Sequence, residues 1–174
     1  MYVDGIDYFT KDYRHPITKE FDPRNFDFKG NCAGLRYLMG TSLYTNKMCY
    51  LSAGYMPGKN TDHVISQRPG EIVDLLNNSN EMAFADAIFT NPCFITPNGT
   101  HSLEQRLLRV AQARHEMVNG MFREFGILTQ RFRNKREFHP TVVHAVGNIV
   151  QLELMYERPP MDIKPAIGRY GTGV

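Results

Sequence analysis

Three carboxylates stand at positions where their type and spacing allow metal-assisted chemistry. Asp4 and Asp86 each close a short apolar segment, Tyr2-Val3 in the first case and Met82–Ala85 in the second, and Glu116 lies within a long helical pattern. Carboxylates packed together repel one another, and a divalent cation such as Mg²⁺ or Mn²⁺ relieves that repulsion. Such a site positions a phosphodiester and activates water or a hydroxyl group for attack.

The same acids also fit simpler interpretations, which spacing alone leaves open. An Asp at the end of a strand is often a turn former, and a Glu on a polar helix face is usually solvated. A small α/β scaffold whose acids all lie on the surface is therefore an alternative. Other chemistries have less support, because the sequence contains no HExxH pair, no phosphate-binding glycine loop before a helix and no G-x-S-x-G motif.

Glu116 belongs to a helical pattern that is predicted to run from about Ser102 to Phe132. Apolar residues recur at three- and four-residue steps and predict the inward face of this helix: Leu103, Leu107, Val110, Val118, Met121, Phe125, Leu128 and Phe132. A second set, spaced so that its members share the opposite face, is polar: Gln105, Arg109, Gln112, Glu116, Asn119 and Arg123. One acid thus lies in the middle of a basic and amide face.

The remaining pattern predicts a mixed α/β fold, with a mixed sheet flanked by helices. The predicted strands are Met1–Ile6, Leu35–Tyr44, Met48–Tyr55 and Met82–Phe89, and the second and third form a hairpin. The predicted helices besides the long one are Asp62–Leu76, interrupted at Pro69-Gly70, and Thr141–Met155, while residues 7–33 and 91–99 are predicted loops. We expect one domain over residues 1–157, N-terminally truncated because Asp4 already lies in a strand, and a flexible tail over 158–174.

Charge is distributed unevenly along the 174 residues, although the net charge is only +2. Residues 105–136 carry eight Lys/Arg and two Glu, a balance of +6, and the rest of the chain carries −4. This asymmetry predicts a basic surface around the long helix, either simply solvated or contacting a polyanion. Three widely spaced cysteines favour a reducing intracellular compartment, and no apolar run is long enough to span a membrane.

Four groups of short motifs occur in order along residues 1–157. They are Val3-Asp4-Gly5-Ile6-Asp7; Gly34-Leu35-Arg36-Tyr37 followed by Met56-Pro57-Gly58 and Asp62; Phe84-Ala85-Asp86; and Ala113-Arg114-His115-Glu116 with Asn119, Phe125-Gly126, Leu128 and Arg131-Phe132-Arg133. Together they resemble the catalytic domain of Harbinger-like DDE transposases, the DDE superfamily endonucleases. One departure is that Ala87-Ile88-Phe89 follows Asp86 where that family usually has Gly-Tyr.

The resemblance implies a ribonuclease H-like fold and a two-metal site that cleaves or transfers DNA phosphodiesters with Mg²⁺ or Mn²⁺. Asp4 is then the first acid, Asp86 the second, and a residue of the long helix the third. One alignment puts Asn119 in the third place, but Glu116 is preferred because a carboxylate balances the charge of the ion and an amide does not. Asn119 is then a neighbour or an auxiliary ligand.

The resemblance further implies DNA as the partner, bound in a salt-dependent way by arginines of the basic segment: Arg109, Arg114, Arg123, Arg131 and Arg133. It also implies a nuclear protein that acts as a homo-oligomer with a separate DNA-binding accessory protein. The alternative is a catalytically inactive, truncated or domesticated relative that binds DNA or a protein without cleaving.

Overall fold

The computed structural model describes residues 1–11, 14, 17–98 and 102–160, with residues 102 and 103 described by their backbone alone. The strands are β1 (Tyr2–Phe9), β2 (Phe26–Asp27), β3 (Cys32–Thr41), β4 (Met48–Leu51), β5 (Ala83–Ala85) and β6 (Phe94–Ile95). The helices are α1 (Asp62–Ser66), α2 (Ile72–Ser79), α3 (Ser102–Arg123), α4 (Gly126–Thr129) and α5 (His139–Tyr156). Of the tail predicted over residues 158–174, residues 161–174 lie outside the described residues.

A mixed sheet with helices on both faces confirms the predicted fold class. The strand order is β2-β3-β1-β5-β6, and β4 pairs with the other end of β3. β1 runs antiparallel to β3 and parallel to β5, and β5 runs parallel to β6. Because β1 lies in the middle of this order, its side chains meet helices on both sides of the sheet.

Side chains of β1 alternate between two cores, as the pleat of a strand requires. Ile6 and Tyr8 pack in a core built with α3 and α5, whereas Val3 packs with Ile65 of α1 and Ile72 of α2. Alternation places Asp4 on the α3 side of the sheet. The following residue, Gly5, faces α1.

Several predicted boundaries were wrong. β1 is longer than the strand predicted over Met1–Ile6, and the predicted strand Met82–Phe89 stops at Ala85, where the backbone turns so that the Phe89 amide donates to the Asp86 carbonyl at 3.1 Å. The predicted loop over residues 7–33 contains the end of β1, β2 and the start of β3, and β6 lies in the other predicted loop. The hairpin is present, and the helix over 62–76 is two short helices, as the Pro69-Gly70 interruption indicates.

The inward face of the long helix was predicted only in part. The buried residues of α3 are Leu108, Ala111, Arg114, His115, Val118, Met121 and Phe122. The helix ends at Arg123, and α4 starts again at Gly126, a residue of low helical propensity. A prediction based on apolar residues alone misplaces the buried face, because this face also contains His115 and Arg114. Their polar partners, Thr41 and Pro160, lie outside α3.

Within the described residues, no helix combines the length and the apolar character needed to cross a membrane.

Candidate active site

Asp4 and Asp86 occupy neighbouring positions on two parallel segments of the chain. Tyr2 and Val3 of β1 pair with Phe84 and Ala85 of β5, so that Asp4, within β1, and Asp86, just after β5, each follow the last of these pairs. Neighbouring strands are about 4.8 Å apart, which brings the two carboxylates to adjacent positions. The sheet therefore assembles two of the three predicted acids.

The hydroxyl of Tyr2 connects these acids with the long helix. It donates a hydrogen bond to Asp86 Oδ1 at 3.2 Å. Burial, and then the charges of Asp4, Asp86 and Glu116, raise the pKa of the Tyr2 phenol far above its ordinary value. All three predicted acids thus lie close enough to act electrostatically on one buried hydroxyl, and we call Asp4, Asp86 and Glu116 the carboxylate cluster.

The residues of α3 are placed as their helical spacing predicts. Glu116 is exposed and accepts a hydrogen bond from Gln112 Nε2 at 3.3 Å. Asn119, one turn later, is half-buried, and its Oδ1 has no hydrogen-bond partner within the described residues. Both side chains offer the hard oxygen ligands that Mg²⁺ and Mn²⁺ prefer.

A metal ion would need some rearrangement of these side chains. In the part of the chain that the structure describes, no three His, Cys, Asp or Glu side chains lie close enough together to hold an ion as they stand. Asp4 Oδ1 accepts a hydrogen bond from the Gly5 amide at 2.7 Å, which holds that carboxylate against its own backbone. The carboxylate and amide oxygens are of the kind that a divalent ion prefers, but the side chains are not arranged around one as they stand.

The predicted DNA-binding arginines divide into two groups. Arg109, Arg123, Arg131 and Arg133 are exposed. Arg114 is only 3% exposed, and its guanidinium donates to the backbone carbonyls of Thr45 and Pro160. Arg114 therefore ties α3 to the β3–β4 turn and to the end of the described chain, and it is not part of the surface available to DNA.

Sequence reasoning missed a second ionic centre, on the face of β1 opposite Asp4. Arg36 donates to both carboxylate oxygens of Asp7, at 2.7 and 2.8 Å, and to Asp27 at 3.3 Å, and its Nε lies 3.4 Å from Asp62 Oδ1. We call these four residues the arginine cluster. Asp7 and Arg36 stand opposite each other on β1 and β3. The sequence feature that could have predicted this centre is a pair of opposite charges within two apolar strands.

Gly5 separates the two centres. A Cβ atom on residue 5 would overlap the Asp62 carboxylate, so any other residue at this position would have to displace that side chain. Asp62 and Asp4 nevertheless remain within electrostatic reach of each other. Burial, together with the charges of Asp86 and Asp62, raises the pKa of Asp4 to about 6, although the Gly5 hydrogen bond opposes the shift. Burial also raises the pKa of Asp62 to about 6, against the effect of Arg36.

These two raised pKa values predict that the free energy of unfolding falls as pH rises from about 4 to about 6. Between these values the native state holds protons on Asp4 and Asp62 that the unfolded chain has released, so folding becomes less favourable as pH increases. Each carboxyl contributes about 1–3 kcal/mol to the loss. Urea unfolding at pH 4.5 and pH 7 measures the effect. Asp62→Asn should flatten the pH dependence, and an unchanged profile in that variant would contradict the assignment.

Searches of protein-family models, curated proteins and solved structures find no match to this chain.

Proposed function

We propose that the chain is a DDE-type nuclease or transposase domain with a ribonuclease H-like sheet, cleaving or transferring DNA phosphodiesters with the help of two Mg²⁺ or Mn²⁺ ions. The observation that carries the proposal is the adjacency of Asp4, in β1, and Asp86, directly after the parallel strand β5, with Glu116 of α3 acting on the same Tyr2 hydroxyl. A location in the nucleus and assembly as a homo-oligomer with an accessory DNA-binding protein belong to the same proposal.

The protein side of the mechanism follows from the positions of the acids. Asp4 and Asp86 would hold the ions, with Glu116 and the Asn119 amide oxygen on the neighbouring helix. Bound ions would supply an activated water or 3′-hydroxyl group and stabilise the departing oxygen. Because the pKa of Asp4 is about 6, an ion that binds below this pH must displace a proton from the carboxyl group.

Arginines on the exposed side of α3 and beyond it would contact the substrate. Arg109 and Arg123 share the helix face that carries Glu116, and Arg131 and Arg133 follow α4. Their charges would neutralise DNA phosphates and make binding dependent on salt. Two experiments test the proposal together: titration calorimetry with Mn²⁺, and a nicking assay on supercoiled DNA with and without the ion.

Tyr2 should orient the Asp86 carboxylate for metal binding. Tyr2→Phe removes the hydroxyl that donates to Asp86 Oδ1 and leaves the buried ring in place. We expect Mn²⁺ affinity to fall about 10- to 100-fold, the usual cost of losing a hydrogen-bond partner of a metal ligand, with little change in melting temperature. Calorimetric titration at pH 7 measures the affinity.

Tyr8→Phe is the matched control for this measurement. Tyr8 lies on the same strand and the same face, is also buried, and its hydroxyl has no hydrogen-bond partner within the described residues. Its removal should leave Mn²⁺ affinity unchanged. Equal losses in the two variants would mean that Tyr2 acts only through core packing.

A further inference from the structure

A basic cavity lies at the far end of β1 from the carboxylate cluster. It has a volume of about 580 Å³ and is lined by Lys11, Arg133, Lys135 and Arg136 with one acid, Glu137. The local charge of the lining is therefore about +3. Lys11, Arg133 and Lys135 are exposed, and among the described residues the structure gives none of them an ion pair.

The framework of this cavity is ordered by contacts with the core. Phe132 donates its backbone amide to the Phe9 carbonyl at 3.0 Å and accepts from the Lys11 amide at 2.9 Å. Its buried ring meets His139 edge-on at 4.7 Å between centroids. On the other side, the Arg136 guanidinium donates to the side-chain oxygen of the buried Asn25. The cations thus project from backbone that is joined to β1 and to the loop before β2.

Strand β1 connects the two places: Asp4 lies near its start, and Thr10, which follows its end, lines the cavity. Asp4 and Thr10 are six residues apart on extended backbone, a span of about 20 Å. The charge of Glu116 acts on Tyr2 at one end of this span. Near the other end, the Arg123 charge opposes the rise that burial and Tyr37 produce in the pKa of Tyr8. Along α3, Glu116 therefore lies toward the Asp4 end of β1 and Arg123 toward the end that leads to the cavity.

We propose that the basic cavity binds the phosphate backbone of duplex DNA about six base pairs away from the phosphodiester held at the carboxylate cluster. A span of about 20 Å corresponds to six steps of 3.4 Å along one strand. Arg123 lies between the two sites and would contact the intervening backbone. This inference rests on the proposed function for the position of the reacting phosphodiester, whereas binding of DNA at the cavity is measurable without metal.

Fluorescence anisotropy with DNA hairpins tests the inference, using stems of 6 and 18 base pairs in EDTA. The variant Lys11→Ala/Arg133→Ala/Lys135→Ala should lower the slope of log affinity against log salt by about 3, since each lost phosphate contact removes about 0.9. At 0.1 M salt this corresponds to a loss of about 100-fold or more on the 18-base-pair stem. The 18-base-pair stem can contact the cavity and the exposed arginines of α3 together, whereas the 6-base-pair stem is too short to do so. The advantage of the long stem over the short one should therefore largely disappear in the variant.

Lys47→Ala/Lys59→Ala is the control, because both lysines are exposed and lie outside the cavity lining. The inference is overturned if this control loses as much affinity as the cavity variant, or if the cavity variant binds the long stem like the unmodified chain. It is also overturned if an RNA stem of the same sequence binds more tightly, or if millimolar inorganic phosphate displaces the long stem at constant ionic strength. Mn²⁺ calorimetry on the same preparations separates the two proposals. If the unmodified chain binds no Mn²⁺ but the cavity variant still loses DNA affinity, the nuclease proposal is refuted and the DNA-binding inference stands.

Discussion

Asp86→Asn is expected to abolish Mn²⁺ binding and metal-dependent nicking of DNA while leaving the protein folded. Asp86 stands next to Asp4 at the end of β5, and its partner Tyr2 can donate equally well to an amide oxygen. The substitution removes one negative charge from the pair that would hold the ion. Losing even a hydrogen-bond partner of a metal ligand costs about 10- to 100-fold in affinity, so losing the carboxylate itself should cost at least about 100-fold.

The expected loss of nicking is about 1,000-fold or more, because removal of a single preorganised stabilising group already costs about 100- to 1,000-fold. Glu81→Gln is the matched control, since Glu81 is an exposed acid in the segment just before β5. Melting temperatures of both variants should match that of the unmodified chain. Full nicking by purified Asp86→Asn would refute the nuclease proposal, whatever the calorimetry shows.

The same assays distinguish the two candidates for the third ligand. Glu116→Gln should lose nicking as Asp86→Asn does, whereas Asn119→Ala should lose little. The opposite result would place Asn119 in the third position. If none of the substitutions alters Mn²⁺ binding because the unmodified chain binds none, the remaining interpretation is a DNA- or protein-binding relative without nuclease activity.

Arg36→Met is expected to give the largest loss of stability, about 3 kcal/mol or more. Arg36 is the shared cation of Asp7, Asp27 and Asp62, whose side chains are 19%, 4% and 22% exposed. Removing one partner of a buried ion pair leaves uncompensated charge and typically costs about 3–5 kcal/mol. Arg36→Lys should rescue only part of the loss, since an ammonium cannot reproduce the two parallel hydrogen bonds to Asp7. Urea unfolding at pH 7 measures both variants.

Arg158→Met provides a matched control on the surface. Arg158 also bonds two carboxylates, those of Glu124 and Glu153, but its side chain is exposed to solvent, so its loss should cost much less than the loss of Arg36. The deficit of Arg36→Met should shrink at pH 5, because Asp62 without its cation takes up a proton more readily, and adding Asp62→Asn should restore part of the stability. A cost equal to that of Arg158→Met would show that the arginine cluster contributes little.

Much of the candidate site could be predicted because it depends on local pattern. The short apolar segments before Asp4 and Asp86 predicted the two strands that bring these acids together, and helical spacing predicted that Glu116 and Asn119 share one side of α3. The extent of β5 was wrong, because Ala87-Ile88-Phe89 continues the apolar run although the backbone turns at Asp86.

The rest depends on contacts between distant segments. Arg114 appeared to be one more exposed arginine until the carbonyls of Thr45 and Pro160 were placed beside it. The arginine cluster joins β1, β2, β3 and α1, and its members become recognisable only when Asp7 and Arg36 are known to stand opposite each other. Tyr2 likewise acquires a role only through the neighbouring strand that carries Asp86.

The alternation of side chains along β1 gives the arginine cluster a second consequence. A slip of β1 by one residue would exchange the two faces of the strand and turn Asp4 away from α3. It would also replace Gly5, beside the Asp62 carboxylate, by a residue with a side chain. The two hydrogen bonds between Arg36 and Asp7 exist in one register only. The ion pair between Arg36 and Asp7 thus favours one register of β1 against β3, and this register decides which side of the sheet carries Asp4.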